Sequence, residues 1–398
     1  MKILIVCQHY FPEQFRINDI AEEMVRQGHE ITVLTGKPNY PEGKIKKGYL
    51  IGKKVEIING VKVIRCPIIP RRKSKVFMLL NYISYVVTAS IKSCFLESGF
   101  DVVYVYQLNP VTMAIPALFI KKIKKINVHL YCLDIWPEAV SSRGMDEDSL
   151  FFKTAYWLSK KVYGGVNSIS VTSQLFIDYF KEYYPNLSVP SYIPQHAEDI
   201  FSIEEVTKHE VFTFCFAGNI GNLQSVETII KAAYFLKDKI EDNFLVLIVG
   251  DGVAKENCEQ LVNKLGIADR VTFVGNKPLT QMPEYYRAAD AMLLTLINNE
   301  KIAYTLPGKT QSYMAMGKPI VAAISGEAKL VIEESDCGWV SPPEDSELLS
   351  LNMLKCMSSN QELLNSKGKN GYKYYLNHFT KEKFMDKTLS ELKKLKRV

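Results

Sequence analysis

The residues of this chain whose types and spacing could do chemistry are three glycine-bearing loops, one lysine and a few carboxylates. Phe216-Ala217-Gly218-Asn219-Ile220-Gly221 and Val249-Gly250-Asp251-Gly252 each follow an apolar run, and Thr305-Leu306-Pro307-Gly308-Lys309-Thr310 opens a segment that stops at Gly317. Glycines between a strand and a helix leave backbone N–H groups open to an anion and let a substrate approach the main chain. Lys309 in a first helical turn would add a mobile cation to the free N–H donors and the positive end of the helix dipole, which suits a diphosphate. The competing reading is an ordinary strand-to-helix turn with a solvated lysine.

A carboxylate in Leu133-Asp134-Ile135-Trp136-Pro137-Glu138, at the end of a strand-like run, suits acceptor binding or proton removal; an aspartate capping the next turn is the plainer alternative. Asp146-Glu147-Asp148 has an Asp-x-Asp spacing known from metal sites. It precedes the helical run Leu150 to Tyr163, so it reads as helix-start carboxylates, and no metal is expected.

What is missing narrows the chemistry. The loop after the first strand is Gln8-His9-Tyr10-Phe11-Pro12-Glu13-Gln14-Phe15-Arg16, with no Gly-x-Gly-x-x-Gly, so a nicotinamide pyrophosphate would meet bulky side chains there. There is no P-loop. The 8 cysteines form no Cys-x-x-Cys pair and several sit in apolar runs, as expected of reduced thiols in a cytoplasmic protein. Ile3 to Cys7 is too short an apolar run for a signal peptide and reads as a first strand.

Positioning these residues takes two domains, and 398 residues are enough for two cores. Ile3 to Cys7, a helix from about Asn18 to Gln27 stopped by Gly28, and Glu30 to Thr35 make a β-loop-α-β start. Strand-like runs recur at Val61 to Cys66, Val102 to Tyr106, Val128 to Leu133 and Ser168 to Thr172. The pattern dissolves around Pro185 to Pro194 and restarts at Val211 to Ala217, Phe244 to Val249, Val271 to Val274, Ala291 to Thr295 and Pro319 to Ala323. The expectation is α/β: two Rossmann-like, doubly wound parallel-sheet domains, residues 1–196 and 197–379, facing a cleft, with residues 380–398 helical.

Charge is split. The formal net charge of +6 divides into 25 basic against 16 acidic residues up to Gln195, and 24 against 27 beyond it, with a basic tail from Phe379. A basic half suggests an anionic surface, membrane or nucleic acid. Val76 to Ile91 carries no charge and is flanked by Arg71, Arg72, Lys73, Lys75 and Lys92. It is too short and polar for a span, which leaves a buried or half-buried domain helix as the first reading and an interfacial helix as the second.

In this order the pieces resemble the family-4 retaining glycosyltransferases of the GT-B fold over nearly the whole chain. The match is strongest in Phe216 to Gly221, Leu247 to Gly252, Arg270 to Gly275, Tyr285 to Asp290 and Gly317 to Ala322. Phe15 to Asp19, Gly28 to Glu30, Thr35 to Pro41 and Asp134 to Glu138 resemble the branch that adds N-acetylated sugars such as N-acetylfucosamine in capsule and O-antigen assembly.

The resemblance implies retaining transfer from a UDP-sugar to a polyprenyl-diphosphate-linked saccharide at the inner face of the plasma membrane. It implies no cofactor and no nucleic acid partner, a leaving phosphate oxygen able to take the acceptor proton, and a C-terminal helix crossing back to the first domain. Donor contacts would come from Gly218, Asn219, Gly221, Asp251, Gly275, Asn276, Thr305, Lys309, Thr310, Gly326 and Glu327. His9, Arg16, Asn18, Lys37, Asn39, Tyr40 and Trp136 would meet the acceptor, with Asp134, Arg16, Lys309 and Glu327 in the chemistry. The family's two glutamates fall on Tyr304 and Ser312, and its diphosphate Arg and Lys near Asn222 and Gln224. The missing glutamate pair motivates one rival reading, a silent nucleotide-sugar-binding assembly subunit, and the shared two-domain layout another, a UDP-sugar 2-epimerase.

Overall fold

The computed structural model describes residues 1–50, 55–72, 74–138, 146–203, 209–240 and 243–396. Lys73, one of the basic residues singled out above, lies outside them. Two compact units divide the chain: Met1–Ile193 with Met385–Val398, and Pro194–Phe384.

The first unit is built on strands β1 (Lys2–Val6), β2 (Glu30–Gly36), β3 (Val55–Ile58), β4 (Val61–Cys66), β5 (Val102–Gln107), β6 (Val128–Cys132), β7 (Ser168–Val171) and β8 (Ser191–Tyr192). They lie in the order β3-β4-β2-β1-β5-β6-β7-β8, parallel except for β3, which pairs antiparallel with β4. Asn59 and Gly60 both take positive φ between β3 and β4, the backbone that a two-residue hairpin demands. The second unit holds β9 (Phe212–Ala217), β10 (Phe244–Val249), β11 (Val271–Gly275), β12 (Ala291–Thr295), β13 (Ile320–Ala323) and β14 (Gly338–Ser341) in the parallel order β11-β10-β9-β12-β13-β14.

Both sheets reverse their winding direction once, between β1 and β5 in the first and between β9 and β12 in the second. At such points the connections leave to opposite faces of the sheet and open a crevice at the carboxyl ends of the strands, where α/β proteins bind ligands. The central strands are apolar on both faces, as a sheet covered by helices on both sides requires: Leu4, Ile5 and Val6 are buried, as are Phe214, Cys215 and Phe216.

Six helices matter below: α1 (Arg16–Arg26), α2 (Lys75–Cys94), α3 (Ile115–Lys124), α4 (Gly308–Ala315), α5 (Gly326–Glu334) and α6 (Lys381–Lys394). Asn127 of the first unit donates to the Leu395 carbonyl just beyond α6, at 2.9 Å.

α2 is a half-buried domain helix, and its buried side is the polar one. Its inward stripe is Asn81, Tyr85, Ala89, Ser90 and Ser93, while Val76, Leu79, Leu80, Ile83, Val87 and Ile91 are exposed. Most of the inward polar groups are bonded: Asn81 accepts from Gln8 at 2.7 Å and donates to the Ile69 carbonyl at 2.7 Å, and Tyr85 and Ser93 donate to the Leu34 and Ser90 carbonyls, while Ser90 Oγ has no partner among the described residues. The helix keeps this polar stripe inside and turns its apolar side out. α3 packs beside it and exposes Phe119 and Ile123.

Candidate functional site

In the second unit the glycine loops converge at the carboxyl ends of β9 and β10. Gly250 has φ +148°, and a Cβ there would stand 1.8 Å from the Gly218 carbonyl oxygen, so the two strand-end turns touch backbone to backbone. A Cβ on Gly252 would lie 2.3 Å from the Ile220 carbonyl. Hydrogen bonds lock the stack: Gly218 N–H to the Val249 carbonyl, Ile220 N–H to Asp251 and Gly250 N–H to Gly275.

Lys309, at the start of α4, reaches into this stack. A Cβ on Gly218, which has φ +138°, would stand 3.0 Å from its Nζ, so glycine is what leaves the lysine room. The ammonium is not the mobile cation expected from sequence. It is enclosed, lies 3.8 Å from the centroid of the Phe216 ring and has no hydrogen-bond partner among the described residues. Burial disfavours the charged form and pulls its pKa down to about 7. Thr310 Oγ1 beside it is also buried without a partner. A buried polar group without a partner costs free energy, which an incoming hydrogen-bonding group would relieve. Tyr313, three residues further along α4, fixes the cradle by accepting from Ala217 N–H at 3.0 Å and donating to the Ala217 carbonyl at 3.2 Å.

The other donor-side residues fall around this point with different exposures. Asn219 bonds Gln224 at 3.1 Å, Asp251 accepts from Gly252 N–H at 2.8 Å, and Asn276 and Asp251 are exposed. Thr305 N–H closes a turn on the Ile302 carbonyl. Gly326 has φ +65°, and a Cβ there would overlap the Ala303 carbonyl at 2.0 Å. Glu327, next to it in the first turn of α5, is only 2% exposed. Lys318 of the Gly317-Lys318-Pro319 stretch serves the fold: its buried ammonium donates to the Ala289 and Arg287 carbonyls.

The first unit has its own polar cluster at the carboxyl ends of β1 and β2. Glu13, which has no periodic signal in the sequence, is at its centre and only 2% exposed. One of its carboxylate oxygens accepts the N–H groups of Asn39 and Tyr40, each at 2.6 Å, and the other meets His9 Nδ1 at 2.8 Å. His9 stacks on Phe15 at 5.1 Å between ring centroids, and Tyr40 lies 5.6 Å from it.

Asn18 and Asn39 build this loop from within. Asn18 donates to the Glu13 carbonyl and accepts from Phe11 N–H; Asn39, fully buried, accepts from Arg71 N–H and Asn81 and donates to the Lys37 carbonyl. Lys37 donates to the Leu50 carbonyl at 2.8 Å. Arg16 opens α1 and is half-buried.

At the end of β6, Asp134 is half-buried, and its carbonyl accepts from Gln107 at 2.9 Å. Trp136 is buried, with its indole N–H bonded to Asn109. Asp146 accepts from Asp148 N–H, and its carbonyl receives Ser149, the N-cap of the helix Leu150–Gly165.

Two doubly wound parallel-sheet units are the layout of the GT-B fold. Comparison with known proteins gives the family. Residues 198–374 match the model described as glycosyl transferases group 1, and residues 14–188 match the glycosyl transferase 4-like domain. Together these span most of the chain, and it belongs to the glycosyltransferases that combine these two domains.

Among relatives, a putative colanic acid biosynthesis glycosyl transferase, WcaI, of Escherichia coli is 24% identical over 82% of this chain and 84% of its own. The probable glycosyltransferase WbjE of Pseudomonas aeruginosa is 26% identical over 54% of this chain, and the match spans only 56% of that protein. HepE of Anabaena, solved in complex with UDP-glucose, superposes with a TM-score of 0.71 over 98% of this chain and all of its own, at 16% identity, a likeness of fold.

Proposed function

We propose that the protein transfers a sugar, an N-acetylated hexosamine or deoxyhexosamine, from a UDP-sugar to a polyprenyl-diphosphate-linked saccharide, with retention of anomeric configuration, in capsule, O-antigen or exopolysaccharide assembly. The observation that carries this reading is Lys309, a buried ammonium without a hydrogen-bond partner among the described residues, packed against Gly218 at the winding reversal of the second sheet. A diphosphate supplies what that enclosure lacks. As the bond to the sugar breaks, charge grows on the β-phosphate, and a donor already held there favours the transition state without reorganising. Protein groups carry this charge in the proposal, so turnover persists in excess chelator. UDP-bound HepE supports the choice of nucleotide, and the names of WcaI and WbjE support the polysaccharide setting.

The acceptor side belongs to the first unit, and its outer surface is proposed to rest on an anionic bilayer at the cytoplasmic face of the membrane. The exposed apolar side of α2 is framed by Arg71, Arg72, Lys75 and Lys92, with Lys122 and Lys125 on and after the neighbouring α3. Apolar residues framed by basic ones match a negatively charged lipid interface.

The test is UDP release from the purified protein with a panel of UDP-sugars and extracted membrane lipids, followed by product analysis. Turnover that requires lipid and is lost in Lys309→Ala supports transfer. Binding of a UDP-sugar without turnover across the panel favours the silent subunit, and conversion of the donor with no acceptor present favours the epimerase.

A further inference from the structure

The segments that follow β2 and β4 leave the carboxyl edge of the first sheet side by side and knit into one surface. Gly43 N–H donates to the Asn39 carbonyl at 2.8 Å, Arg72 N–H to the Gly43 carbonyl at 3.3 Å, and Arg71 N–H to the Asn39 side chain at 3.0 Å. Gly43 has φ +70°, and a Cβ there would stand 2.9 Å from Arg72 Cα, so glycine is what allows the approach. Residues 37–50 and 69–72 carry Lys37, Lys44, Lys46, Lys47, Arg71 and Arg72 against a single acid, Glu42.

The two arginines are held by rings and not by carboxylates. The Arg71 guanidinium lies 5.7 Å from the Tyr40 ring and 5.9 Å from the Tyr82 ring, with one terminal nitrogen 3.4 Å from the Met78 sulfur, and Arg72 lies 4.6 Å from the Phe77 ring. Neither makes a salt bridge among the described residues. A guanidinium stacked on aromatic faces keeps its planar fork of donors for a ligand, and that fork matches phosphate oxygens two at a time. A thioether sulfur is too weak an acceptor to occupy it.

Phe77, Met78 and Tyr82 place both arginines over the first turns of α2. From that end the exposed Val76, Leu79, Leu80, Ile83, Val87 and Ile91 run along the helix. At 1.5 Å per residue the strip is about 22 Å long. A cationic head that continues into a long apolar strip complements an amphiphile with a compact, multiply charged anionic head and a long hydrocarbon chain.

We propose, on the transfer reading above, that this surface of the first unit holds the acceptor by its lipid carrier: Arg71 and Arg72 bind the diphosphate of a polyprenyl diphosphate, and α2 receives the start of its hydrocarbon chain. A phospholipid bilayer asks only for diffuse positive charge beside an apolar face. Two guanidiniums adjacent in sequence and fixed by separate rings fit the two phosphoryl groups of one head.

The test is calorimetric titration with geranylgeranyl diphosphate, geranylgeranyl monophosphate, inorganic diphosphate and phosphatidylglycerol vesicles, with UDP in excess to fill the cradle of the second unit. Thermal unfolding establishes that each variant is folded. Wild type should bind the lipid diphosphate about 10-fold or more tightly than the lipid monophosphate or inorganic diphosphate. Arg71→Gln with Arg72→Gln should weaken it about 100-fold, the loss of two charge-assisted contacts. Arg71→Lys with Arg72→Lys keeps the charge and loses the fork; it should bind vesicles as wild type does, yet no longer tell the two lipids apart. Ile83→Ser with Val87→Ser should bring the lipid diphosphate towards the affinity of inorganic diphosphate. Equal affinity of wild type for the two lipids means that the surface reads bilayer charge only, and overturns the proposal. Undiminished binding by the glutamine pair overturns it too. No donor sugar is present in these titrations, so a protein that binds the lipid diphosphate but releases no UDP from any UDP-sugar sinks the transfer reading and leaves this lipid site standing.

Discussion

Lys309 Nζ stands 3.8 Å from the centre of the Phe216 ring, a cation over an aromatic face with no hydrogen-bond partner among the described residues. The ring offers some compensation, but burial still brings the lysine near neutrality at physiological pH. A bound diphosphate would draw the proton back. UDP binding should therefore be accompanied by proton uptake and should weaken as pH rises from 7 towards 9. Calorimetry in buffers of different ionisation enthalpy reads the uptake directly, and Lys309→Met should abolish both the uptake and the pH dependence.

Without ligand, the same lysine links stability to pH in the opposite sense. Its pKa is about 7 in the fold against 10.5 in the unfolded chain, so between those values the unfolded state binds more protons and stability rises with pH. Denaturant midpoints of the second unit should climb from pH 7 to pH 10, and Lys309→Met should flatten the climb while stabilising the unliganded protein at pH 7.

Gly250→Ala should disrupt the cradle itself. The new methyl would meet the Gly218 carbonyl at 1.8 Å, and φ of +148° disfavours any L side chain. A loss of about 2 kcal/mol or more is expected, from strain and the displacement of both turns. Thermal unfolding gives the loss, and UDP thermal shift should show weaker binding in the folded fraction.

His129 gives the first unit an acid limit. Its ring nitrogens bond Ser168 and Ser170 at 2.7 and 2.8 Å, and burial lowers its pKa to about 4. Between that value and 6.5 the unfolded state binds more protons, so stability is full above pH 6.5 and declines as pH falls towards 4. His129→Gln should be less stable at pH 7 and lose that acid dependence, as measured by urea unfolding.

The membrane reading predicts that Ile83→Asp together with Val87→Asp removes sedimentation with anionic vesicles while leaving UDP binding intact. Neutralising Arg71, Arg72, Lys73 and Lys75 should weaken sedimentation and its salt sensitivity together. Undiminished sedimentation of both variants would reject the lipid surface.

Much of this fold is legible because covered parallel strands are apolar throughout and end in glycine turns, as at Phe212–Ala217 before Gly218. The β3–β4 hairpin has the Asn59-Gly60 signature, although Val55–Ile58 is a short edge strand easily absorbed into a loop. α2 is legible as a helix but not in its orientation. Hydropathy assigns polar residues to the outside by default, whereas Asn81 earns its place inside through partners at Gln8, Asn39 and Ile69 that no local pattern displays. Glu13 is hidden for the same reason, since its partners at Asn39 and Tyr40 are more than twenty residues away. Lys309 is visible as a cation near glycines, but its enclosure by Phe216 is tertiary.

The inward amides of α2 also fix its setting from within. Asn81 bonds side chains from the loops after β1 and β2, so the helix cannot slide or roll by one residue without breaking those bonds together. Whatever surface meets Leu79, Ile83 and Val87, their depth and angle are dictated by the loop that holds His9 and Glu13, not by the surface.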